Sequence, residues 1–478
     1  MNTAQRLLTS ARPKADTLPT DASYTPVGVV DIDLARPNEF GPPGGGELVR
    51  PEEPVVALVR LHGHPLGLIP SSDDRSLRGG SDPGELWWSL ARTACHRLAT
   101  PLARHLTADT SPGHPPVDFP ATRSAPRSGG LRHGTGRRPE DLATARLPCR
   151  AARLRTLAAA PPISVIVATH NRPELLRQCL RSLLRVQYPK FEVIVVDNAP
   201  DDDSTERLVR NEYGRHVRYV REPVAGLAHA HNRGLAVAAG HVAAFTDDDT
   251  LVDPGWLSAL AATFAQDGDI SCVTGLIVPA ELGTATQAAL EQHAGFAKGY
   301  ALRTWSLRAP SEDPLFPFTA GRFGSGTNMA FRIDHLRALG GFDPATGTGT
   351  PAHGGDDLLA FFRVLAAGRT LAYQPDAIVW HRHRRTPDAL DSQAFGYGAG
   401  LGAYLTGALL HEPRMVPALL RRLPRGIGYA VTRAHGRRGT ATGWSRRLAL
   451  LELRGLLYGP FGYLRSRRLM NHAGSGGD

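Results

Sequence analysis

The chain has 478 residues, which excludes a single ordinary domain and suits two or three. Hydrophobic residues make up 42% and charged residues 21%, as is typical of globular proteins. The formal net charge is +10, and the segment from His411 to Asp478 accounts for all of it, with 13 arginines, no lysine and three acidic residues. Such a basic segment indicates an anionic partner, such as a lipid surface or a polyphosphate.

Cysteines are few, and their spacing does not resemble that of a metal site: Cys95, Cys149, Cys179 and Cys272. This usage fits a reducing compartment and no disulfide framework. The first residues contain no apolar stretch typical of a signal peptide. The longest apolar stretch near the C-terminal part, Gly398 to Leu410, is short for a membrane span and rich in glycine. We therefore expect a cytoplasmic protein, at most peripheral to the inner face of a membrane.

The N-terminal part predicts a small α+β module over residues 1–107, to which the sequence assigns no function. Its first 35 residues are polar and predict no regular structure. VVALVRLHGHPLGLIP predicts short strands around a turn at HGHP. The residues Leu86, Leu90, Ala94, Leu98 and Leu102 recur every four positions and predict a helix. Residues 108–160 are rich in Pro, Gly and Arg, which is typical of a flexible linker.

From residue 161 onward, apolar strands alternate with helical stretches at short intervals. ISVIVAT and FEVIVVD are continuous and rich in β-branched residues, as in strands buried on both faces of a parallel sheet. PELLRQCLRSLLR places leucines on one helical face, and GLAHAHNRGLAVAAG predicts a helix with a glycine C-cap. The alternation predicts right-handed βαβ units, and so an α/β fold with a mostly parallel sheet flanked by helices.

Polar motifs follow these strands, at the edge where open α/β sheets bind ligands. THNRPE follows the first strand without the G-x-G-x-x-G of a dinucleotide-binding domain, which argues against NAD or FAD. Asp247, Asp248 and Asp249 follow a later strand. Their carboxylates are hard ligands that suit Mg²⁺ or Mn²⁺ beside phosphate oxygens. For three aspartates alone, a solvated acidic turn is the simpler interpretation.

Two further groups favour a metal–diphosphate site over a simple turn. Asp356 and Asp357 begin a predicted helix, where the helix dipole stabilises negative charge, so capping alone could explain one of them. His381 and His383 lie at the end of a later strand, and imidazole is the commonest transition-metal ligand. All these groups are expected at one edge of the sheet.

The motifs that carry this pattern, in chain order, are ISVIVATHNRPELLRQCL, VIVVDNAP, AGLAHAHNRGL, AAFTDDDT, GTNMAFRI, LGGFD, GGDDLLAFFRVLAAG and AIVWHRHR. Together they resemble family 2 glycosyltransferases with the GT-A fold, over about Pro161 to Arg385. The resemblance implies a GT-A, Rossmann-like catalytic domain over 161–390. Residues 1–150 and the C-terminal segment lie outside the resemblance, and residues 391–478 are predicted as a basic helical region. The resemblance also implies inverting transfer of a sugar from a nucleotide sugar to a hydroxyl of a glycan, lipid or small molecule. A UDP-sugar is the expected donor, because UDP-sugars are the commonest donors.

The same resemblance implies a role for individual residues. Thr169, Asn171 and Arg172 would line the nucleotide pocket, with Asp197 on the base, Asn232 near the ribose-phosphate region and Asp248 near the ribose. Asp247, Asp249 and His381 would hold a divalent metal, Mn²⁺ or Mg²⁺. Asp357 would be the catalytic base. The chain departs from the family where Asp356 replaces the usual glutamate of the Glu-Asp pair and where DNAPDDDST replaces DNGSxD. In that stretch, residues 201–203 are expected to cap a helix rather than bind a ligand.

The residues alone leave two other functions open. A nucleotidyltransferase would need a glycine-rich phosphate loop after the first strand, and THNRPE is a poor match. An anion-binding scaffold without catalysis would rely on the arginine-rich C-terminal segment. No nucleic-acid motif accompanies those arginines, so no nucleic-acid partner is expected. They could contact a membrane surface or simply solvate the helices that carry them.

Overall fold

The structure is a computed structural model, which describes residues 24–52, 54–71, 82–109, 148–309, 311–422, 424–425 and 446–474. The chain forms two compact units. The smaller unit comprises Gly28–Pro42 and Gly46–Ala159, and the larger comprises Met1–Val27, Pro43–Gly45 and Ala160–Asp478. The boundary near residue 160 lies close to the predicted start of the catalytic domain, and the domain limits given above stay predictions.

The smaller unit packs helices against a three-stranded sheet. Its strands are β1 (Gly28–Asp33), β2 (Val55–Leu61) and β3 (His64–Pro70), and its helices are α1 (Pro83–Arg97), α2 (Ala99–Asp109) and α3 (Pro148–Ala158). β1 pairs parallel with β2, and β2 pairs antiparallel with β3. Alternate residues of β1, such as Val30 and Ile32, share one buried core with Trp87 and Leu90 of α1. The turn expected at HGHP is therefore that of the β2–β3 hairpin.

Three features of this unit differ from expectation. Strand β1 lies within the first 35 residues, where no regular structure was predicted; residues 1–23 of that stretch lie outside the described part. The predicted helix is two helices, because α1 ends at Arg97 and α2 begins at Ala99. Helix α3 occupies the end of the predicted linker, and residues 110–147 of that linker lie outside the described part.

The larger unit is built on a nine-stranded sheet. Its strands are β4 (Ile163–Thr169), β5 (Phe191–Asn198), β6 (Val217–Glu222), β7 (Val242–Asp247), β8 (Thr250–Val252), β9 (Ile270–Pro279), β10 (Arg303–Trp305), β11 (Asn328–Arg332) and β12 (Thr370–His381). Their order is β10-β12-β9-β11-β7-β4-β5-β6, and β8 pairs with β12. The strands β7, β4, β5 and β6 are parallel, whereas β11 runs antiparallel between β7 and β9.

Helices flank this sheet, so the predicted α/β fold class is confirmed. They are α4 (Pro173–Leu183), α5 (Ser204–Leu208), α6 (Leu227–Val237), α7 (Trp256–Phe264), α8 (Ala285–Ala294), α9 (Ile333–Ala338), α10 (Asp356–Ala366), α11 (Pro387–His411) and α12 (Arg446–Gly474). α5 continues as a π-helical turn, Val209–Tyr213, and short 3₁₀ segments lie at Ala320–Arg322 and Pro413–Met415. The glycine C-cap predicted after α6 is wrong, because the chain already turns extended at Ala238.

Parallel register places the polar motifs at one edge of the sheet. Thr169 at the end of β4 lies opposite Asp197 of β5, and its neighbour Ala168 lies opposite Asp247 of β7. The strand interiors that precede them are fully buried around residues such as Ile166 and Phe245. The apolar run of each strand thus fixes the point at which its polar end emerges.

Helix α11 packs closely against α12 through glycines. A Cβ at Gly398 or Gly455 would overlap backbone atoms of the other helix, since the one at Gly455 would lie 2.1 Å from the carbonyl oxygen of Phe395. Gly400 of α11 also meets Gly355, the left-handed residue (φ 88°) that precedes α10; a Cβ there would lie 2.4 Å from the Gly400 carbonyl oxygen. Among the described helices, none has the length and apolarity that a bilayer-spanning segment requires.

Candidate active site

The three consecutive aspartates lie where β7 ends and the chain turns into β8. The hydroxyl of Thr327 donates to Asp247 Oδ2 at 2.7 Å, and the hydroxyl of Thr169 donates to Asp248 Oδ2 at 2.7 Å. The Arg172 guanidinium donates to Asp248 Oδ1 at 3.2 Å and lies 3.5 Å from Asp249 Oδ2. The arginine neutralises part of the charge of the three adjacent carboxylates. Hydroxyl donors fix the positions of two of these carboxylates, those of Asp247 and Asp248.

His381, the last residue of β12, completes a cluster that could hold a metal ion. One ligand atom each of Asp247, Asp249 and His381 lie within 4.8 Å of one another. His381 Nε2 is 3.4 Å from Asp249 Oδ1, and this buried oxygen accepts no hydrogen bond from any described residue. A buried carboxylate oxygen without a donor is costly unless a cation contacts it. Two carboxylates and an imidazole also match the donor set of a Mn²⁺ or Mg²⁺ site beside a diphosphate.

A second histidine and a glutamate support His381 from behind. The Nδ1 atoms of His381 and His383 are 3.2 Å apart, and His383 Nε2 lies 2.7 Å from Glu291 Oε2 on α8. The ring of Phe296 stacks on His383, with the centroids 5.1 Å apart. Such a chain from imidazole to carboxylate orients a metal-binding histidine. The sequence predicted His381 as the ligand and gave no signal for Glu291, which lies about 90 residues away.

Burial and mutual repulsion divide the charge unevenly among the aspartates. Burial, and then the charge of Asp249, raises the pKa of Asp247 and brings the pKa of Asp248 to about 6. Burial also opposes ionisation of Asp249, but the neighbouring His381 outweighs it and lowers the pKa of Asp249 to about 2. Burial likewise opposes the charging of His381, yet Asp249 and Asp247 raise its pKa. Asp249 therefore carries the most persistent negative charge of the cluster.

Asp197 is the residue that is predicted to contact the nucleotide base. It is fully buried at the end of β5, where the Tyr219 hydroxyl donates to Oδ2 at 2.9 Å. Burial raises the pKa of this carboxyl. Its other oxygen, Oδ1, is buried and accepts no hydrogen bond from the described residues. An acceptor left open in this way suits an N–H donor from a bound base.

Two residues that are predicted to contact the nucleotide form hydrogen bonds within the chain. Asn171 donates from Nδ2 to Asp201 Oδ2 at 2.6 Å and accepts from the Asp201 N–H at 3.1 Å. Asn232 donates to the Phe342 carbonyl and accepts from the Phe342 N–H, both at 2.8 Å. The Asn232 amide thus binds the LGGFD segment to α6. The nucleotide-binding roles of both asparagines stay predictions.

The acidic stretch 201–203 shows one capping contact. The Ser204 N–H donates to Asp202 Oδ1 at 2.8 Å, whereas Asp203 forms an ion pair with Arg207 at 2.8 Å. Asp203 is the N-cap residue of α5 but makes no side-chain cap hydrogen bond. Of the three aspartates, Asp202 alone is confirmed as a capping residue. The Asp201 carboxylate instead accepts a hydrogen bond from Asn171.

Asp357 is not a member of the metal cluster and lies in the first turn of α10. Its Oδ2 accepts from the Gly326 N–H and its Oδ1 from the Leu358 N–H, each at 2.7 Å. Burial, and then the charge of Asp356, raises the pKa of Asp357 to about 6. A carboxylate held by two backbone donors, with a pKa near neutrality, is suited to take a proton from a hydroxyl.

The neighbouring Asp356 has different surroundings. Its Oδ2 lies 3.4 Å from His231 Nδ1, and neither atom has a hydrogen-bond partner among the described residues. The His231 ring packs between Phe245 and Phe342, with centroids 5.0 and 4.9 Å away. Asp356 is thus directed into the core beneath the site. His231 and Thr327 were not predicted as site residues, although both lie in the motifs AGLAHAHNRGL and GTNMAFRI.

Comparison with known proteins shows a resemblance to glycosyltransferases. Residues 164–340 match the family model described as glycosyl transferase family 2. The pre-mycofactocin glycosyltransferase of Mycobacterium tuberculosis is 28% identical over 263 residues, which are 54% of this chain and 50% of that protein. The glucosyl-dolichyl phosphate glucuronosyltransferase of Haloferax volcanii is 24% identical over 204 residues, 39% of this chain and 57% of that protein. The chain thus spans about half the length of these curated relatives.

A solved mannosyltransferase from Pyrobaculum calidifontis, in complex with GDP-Man and Mn²⁺, matches with a TM-score of 0.40 and 20% identity. The match covers 65% of this chain and 95% of that one. The matched family segment runs from Ser164 in β4 to Gly340 and includes the three aspartates. The predicted resemblance is confirmed over residues 164–340, which match the glycosyl transferase family 2 model.

Proposed function

We propose that the protein is an inverting glycosyltransferase that moves a sugar from a nucleoside-diphosphate sugar to an acceptor hydroxyl. One observation carries this proposal: the acidic groups at the sheet edge fall into two sets with different chemistry. Asp247, Asp249 and His381 are gathered as metal ligands, whereas Asp357 is held separately by backbone donors. A donor diphosphate needs the first set and an attacking hydroxyl needs the second.

On the donor side, a divalent metal held by Asp247, Asp249 and His381 would supply positive charge to the leaving diphosphate. The chain adds its own cation there, because Arg172 already lies beside Asp248 and Asp249. Asp197 offers its open oxygen to the base, and Thr169 orients Asp248. These residues bind and orient the donor in the direction that the displacement requires.

On the acceptor side, Asp357 removes the proton of the hydroxyl as its oxygen attacks the anomeric carbon. The attack comes from the face opposite the leaving diphosphate, so a single displacement inverts that carbon. The hydrogen bonds from the Gly326 and Leu358 N–H groups fix the carboxylate while leaving it basic enough for this step. Both anionic oxygens keep further lone pairs for the acceptor hydroxyl.

The open oxygen of Asp197 limits which nucleotide base the donor can carry. An open carboxylate oxygen accepts from an N–H of the base. Uracil and guanine offer a ring N–H at the pairing edge, whereas cytosine and adenine offer only an exocyclic amino group there. We propose UDP-sugars as donors. Calorimetric titration of UDP, GDP, CDP and ADP with Mn²⁺ distinguishes these bases: tighter binding of CDP or ADP would contradict the role of Asp197, and tighter binding of GDP would change only the donor.

The activity is expected to fall in acid because the base must be ionised. Burial and Asp356 raise the pKa of Asp357 to about 6, so kcat/KM should be level above this pH and drop about tenfold per pH unit below it. Asp356→Asn removes a repelling charge and should move this limb to lower pH. The measurement is kcat/KM against pH at saturating Mn²⁺. A profile that stays flat down to pH 5, or is unmoved by Asp356→Asn, would contradict this assignment.

We also propose that α12 contacts an anionic membrane surface. Leu450, Leu453, Leu457, Phe461 and Leu464 recur at three- and four-residue intervals along α12, and all five are exposed, Leu457 by 75%. Residues at this spacing share one helical face. The exposed arginines Arg447, Arg454 and Arg465 line one side of this leucine face. Exposed leucines beside arginines are the combination that interfacial helices present to anionic lipids.

The variant Leu453→Ser/Leu457→Ser is expected to lower binding to phosphatidylserine-containing vesicles about tenfold, since two apolar side chains no longer enter the interface. Leu469→Ser is the matched control, because Leu469 is also exposed but lies off the leucine face. Co-sedimentation at low and high salt measures both contributions. The proposal would be contradicted if both variants lost vesicle binding equally, or if the unaltered protein bound no vesicles. The leucine face would then be a solvent-exposed helix surface without a membrane contact. The cytoplasmic location stays a prediction.

A further inference from the structure

A second cluster of metal-binding side chains lies in the smaller unit, far along the chain from the aspartates. One ligand atom each of His62, His105, Asp109 and Cys149 lie within 4.8 Å of one another. Three of these groups converge on one carboxylate oxygen, Asp109 Oδ2. His62 Nδ1 and Cys149 Sγ are each 2.9 Å from it, and His105 Nε2 is 3.1 Å from it. The proposed glycosyl transfer uses none of them.

Three separate segments bring these side chains together. His62 lies in the β2–β3 turn, which Asp33 holds by accepting from the His62 N–H at 3.1 Å and the Gly63 N–H at 2.7 Å. His105 and Asp109 are four residues apart on α2 and so share a helical face. Cys149 is in the first turn of α3, and its N–H donates to Asp109 Oδ1 at 3.0 Å. The ligand set is therefore supported by hydrogen bonds outside it, as built metal sites are.

The size of the cluster suits a tetrahedral ion. Zinc binds nitrogen, oxygen and sulfur at about 2.0–2.3 Å, so the edges of its tetrahedron are about 3.3–3.8 Å. The nitrogen atoms of His62 and His105 are 3.3 Å apart, and His62 Nδ1 is 3.9 Å from Cys149 Sγ. The edges to Asp109 are shorter, at 2.9–3.1 Å, and would open by less than about 1 Å around an ion.

The donor types also favour a metal over a purely structural cluster. The Cys149 thiol donates a hydrogen bond to Asp109 Oδ2 at 2.9 Å, so two acidic groups are in contact. The side chains of Asp109 and His62 are only 6% and 9% exposed. Imidazoles beside a cysteine favour the thiolate, the form that binds zinc. A thiolate and a carboxylate in contact repel each other unless a cation lies among them. Two imidazoles, one thiolate and one carboxylate form a complete tetrahedral set for Zn²⁺.

We propose that His62, His105, Asp109 and Cys149 bind a structural zinc ion that joins the β2–β3 turn to α2 and α3. All four positions are supplied by protein, so no coordination position stays open for a substrate, in contrast to a catalytic zinc. The cysteines were expected to have no metal role because their spacing in the sequence is irregular. Cys149 finds its partners in space, on segments that lie 40 to 87 residues away.

The test uses the full chain, purified without chelator and analysed for metal content. One zinc ion per chain is expected, and Cys149→Ser and His105→Asn should each lower that content by at least tenfold after dialysis. Cys95→Ser and His96→Asn are the matched controls from the same unit, because neither residue belongs to the cluster. Asp249→Asn should leave the zinc content unchanged, which separates this site from the proposed catalytic metal.

Replacement of the metal by Co²⁺ gives a readout that is independent of activity and that, in the unaltered chain, does not depend on how the variants fold. The unaltered chain should show the thiolate-to-cobalt charge-transfer absorption and the intense visible bands of tetrahedral cobalt. Cys149→Ser should lose the charge-transfer band, and Cys95→Ser should keep it. Added zinc should also raise the unfolding temperature of the metal-free chain. Absence of both zinc and the cobalt–thiolate band in the unaltered protein, or their survival in Cys149→Ser, would overturn the proposal.

Discussion

Asp357→Asn is expected to lower the turnover number by about 10²–10⁴, because the amide keeps the shape of the side chain but cannot accept the proton of the acceptor hydroxyl. Binding of nucleoside diphosphate with Mn²⁺ should stay near that of the unaltered protein. Asp357 bonds to the N–H groups of Gly326 and Leu358 and belongs to neither the metal cluster nor the nucleotide pocket. A turnover assay and a calorimetric titration on the same preparation measure the two quantities.

Asp334→Asn is the control for this variant, since Asp334 is an exposed aspartate in the first turn of another helix, α9. It should change neither quantity. Normal turnover by Asp357→Asn would rule out the base assigned here. Loss of nucleotide binding in that variant would move Asp357 from the acceptor side to the donor side of the site.

Asp249→Asn is expected to abolish the metal-dependent part of nucleotide binding and, with it, turnover. Asp249 carries the most persistent charge of the cluster, because His381 lowers its pKa to about 2 despite burial. The affinity for nucleoside diphosphate should fall by at least tenfold in Mn²⁺ and should equal that of the unaltered protein in chelator. Calorimetric titration with and without Mn²⁺ makes both comparisons.

The two variants check each other. Asp357→Asn should lose turnover and keep metal-dependent binding, whereas Asp249→Asn should lose both. If Asp249→Asn retains full turnover, or if the unaltered enzyme is fully active after exhaustive chelation, the cluster of Asp247, Asp249 and His381 has no metal role in catalysis. Asp334→Asn again supplies the baseline for an aspartate outside the site.

The parallel half of the sheet and its polar edge follow directly from the sequence. ISVIVAT and FEVIVVD are too apolar for any place but a buried sheet, and parallel neighbours end at the same edge, so Thr169, Asp197 and Asp247 had to meet. The same reasoning predicted the aspartates and His381 at one edge, since His381 ends a strand of that sheet. The choice of Asp247, Asp249 and His381 as metal ligands came from the resemblance to family 2 glycosyltransferases.

Contacts made by long-range packing could not be predicted in this way. Glu291 lies on α8, and nothing in its local pattern marks it as the partner of His383. The Asn232 amide has two polar atoms that suit a ribose, and only the fold shows that both bond to Phe342, 110 residues away. The alternation predicted a mostly parallel sheet, and it did not show which strand runs antiparallel, namely β11.

The metal-binding role proposed for Cys149 could not be predicted from the sequence either. Regular spacing such as C-x₂-C identifies metal sites whose ligands share one loop. Cys149 belongs to a set assembled from a hairpin turn and two helices, so its spacing carries no signal. These four ligands can be recognised as one set only in the three-dimensional structure, where their side chains lie together.

The contact between Gly355 and Gly400 has a consequence for the energetics of acceptor binding. No methyl group fits between these two backbones, so the first turn of α10 and the middle of α11 must move together or stay in place. Asp357 follows Gly355 by two residues and is further held by the Gly326 N–H. The orientation of its carboxylate is thus settled during folding rather than at each encounter with the acceptor. Reorganisation of the base then adds little to the barrier for proton transfer, and the free energy of acceptor binding remains available for alignment of the attacking oxygen.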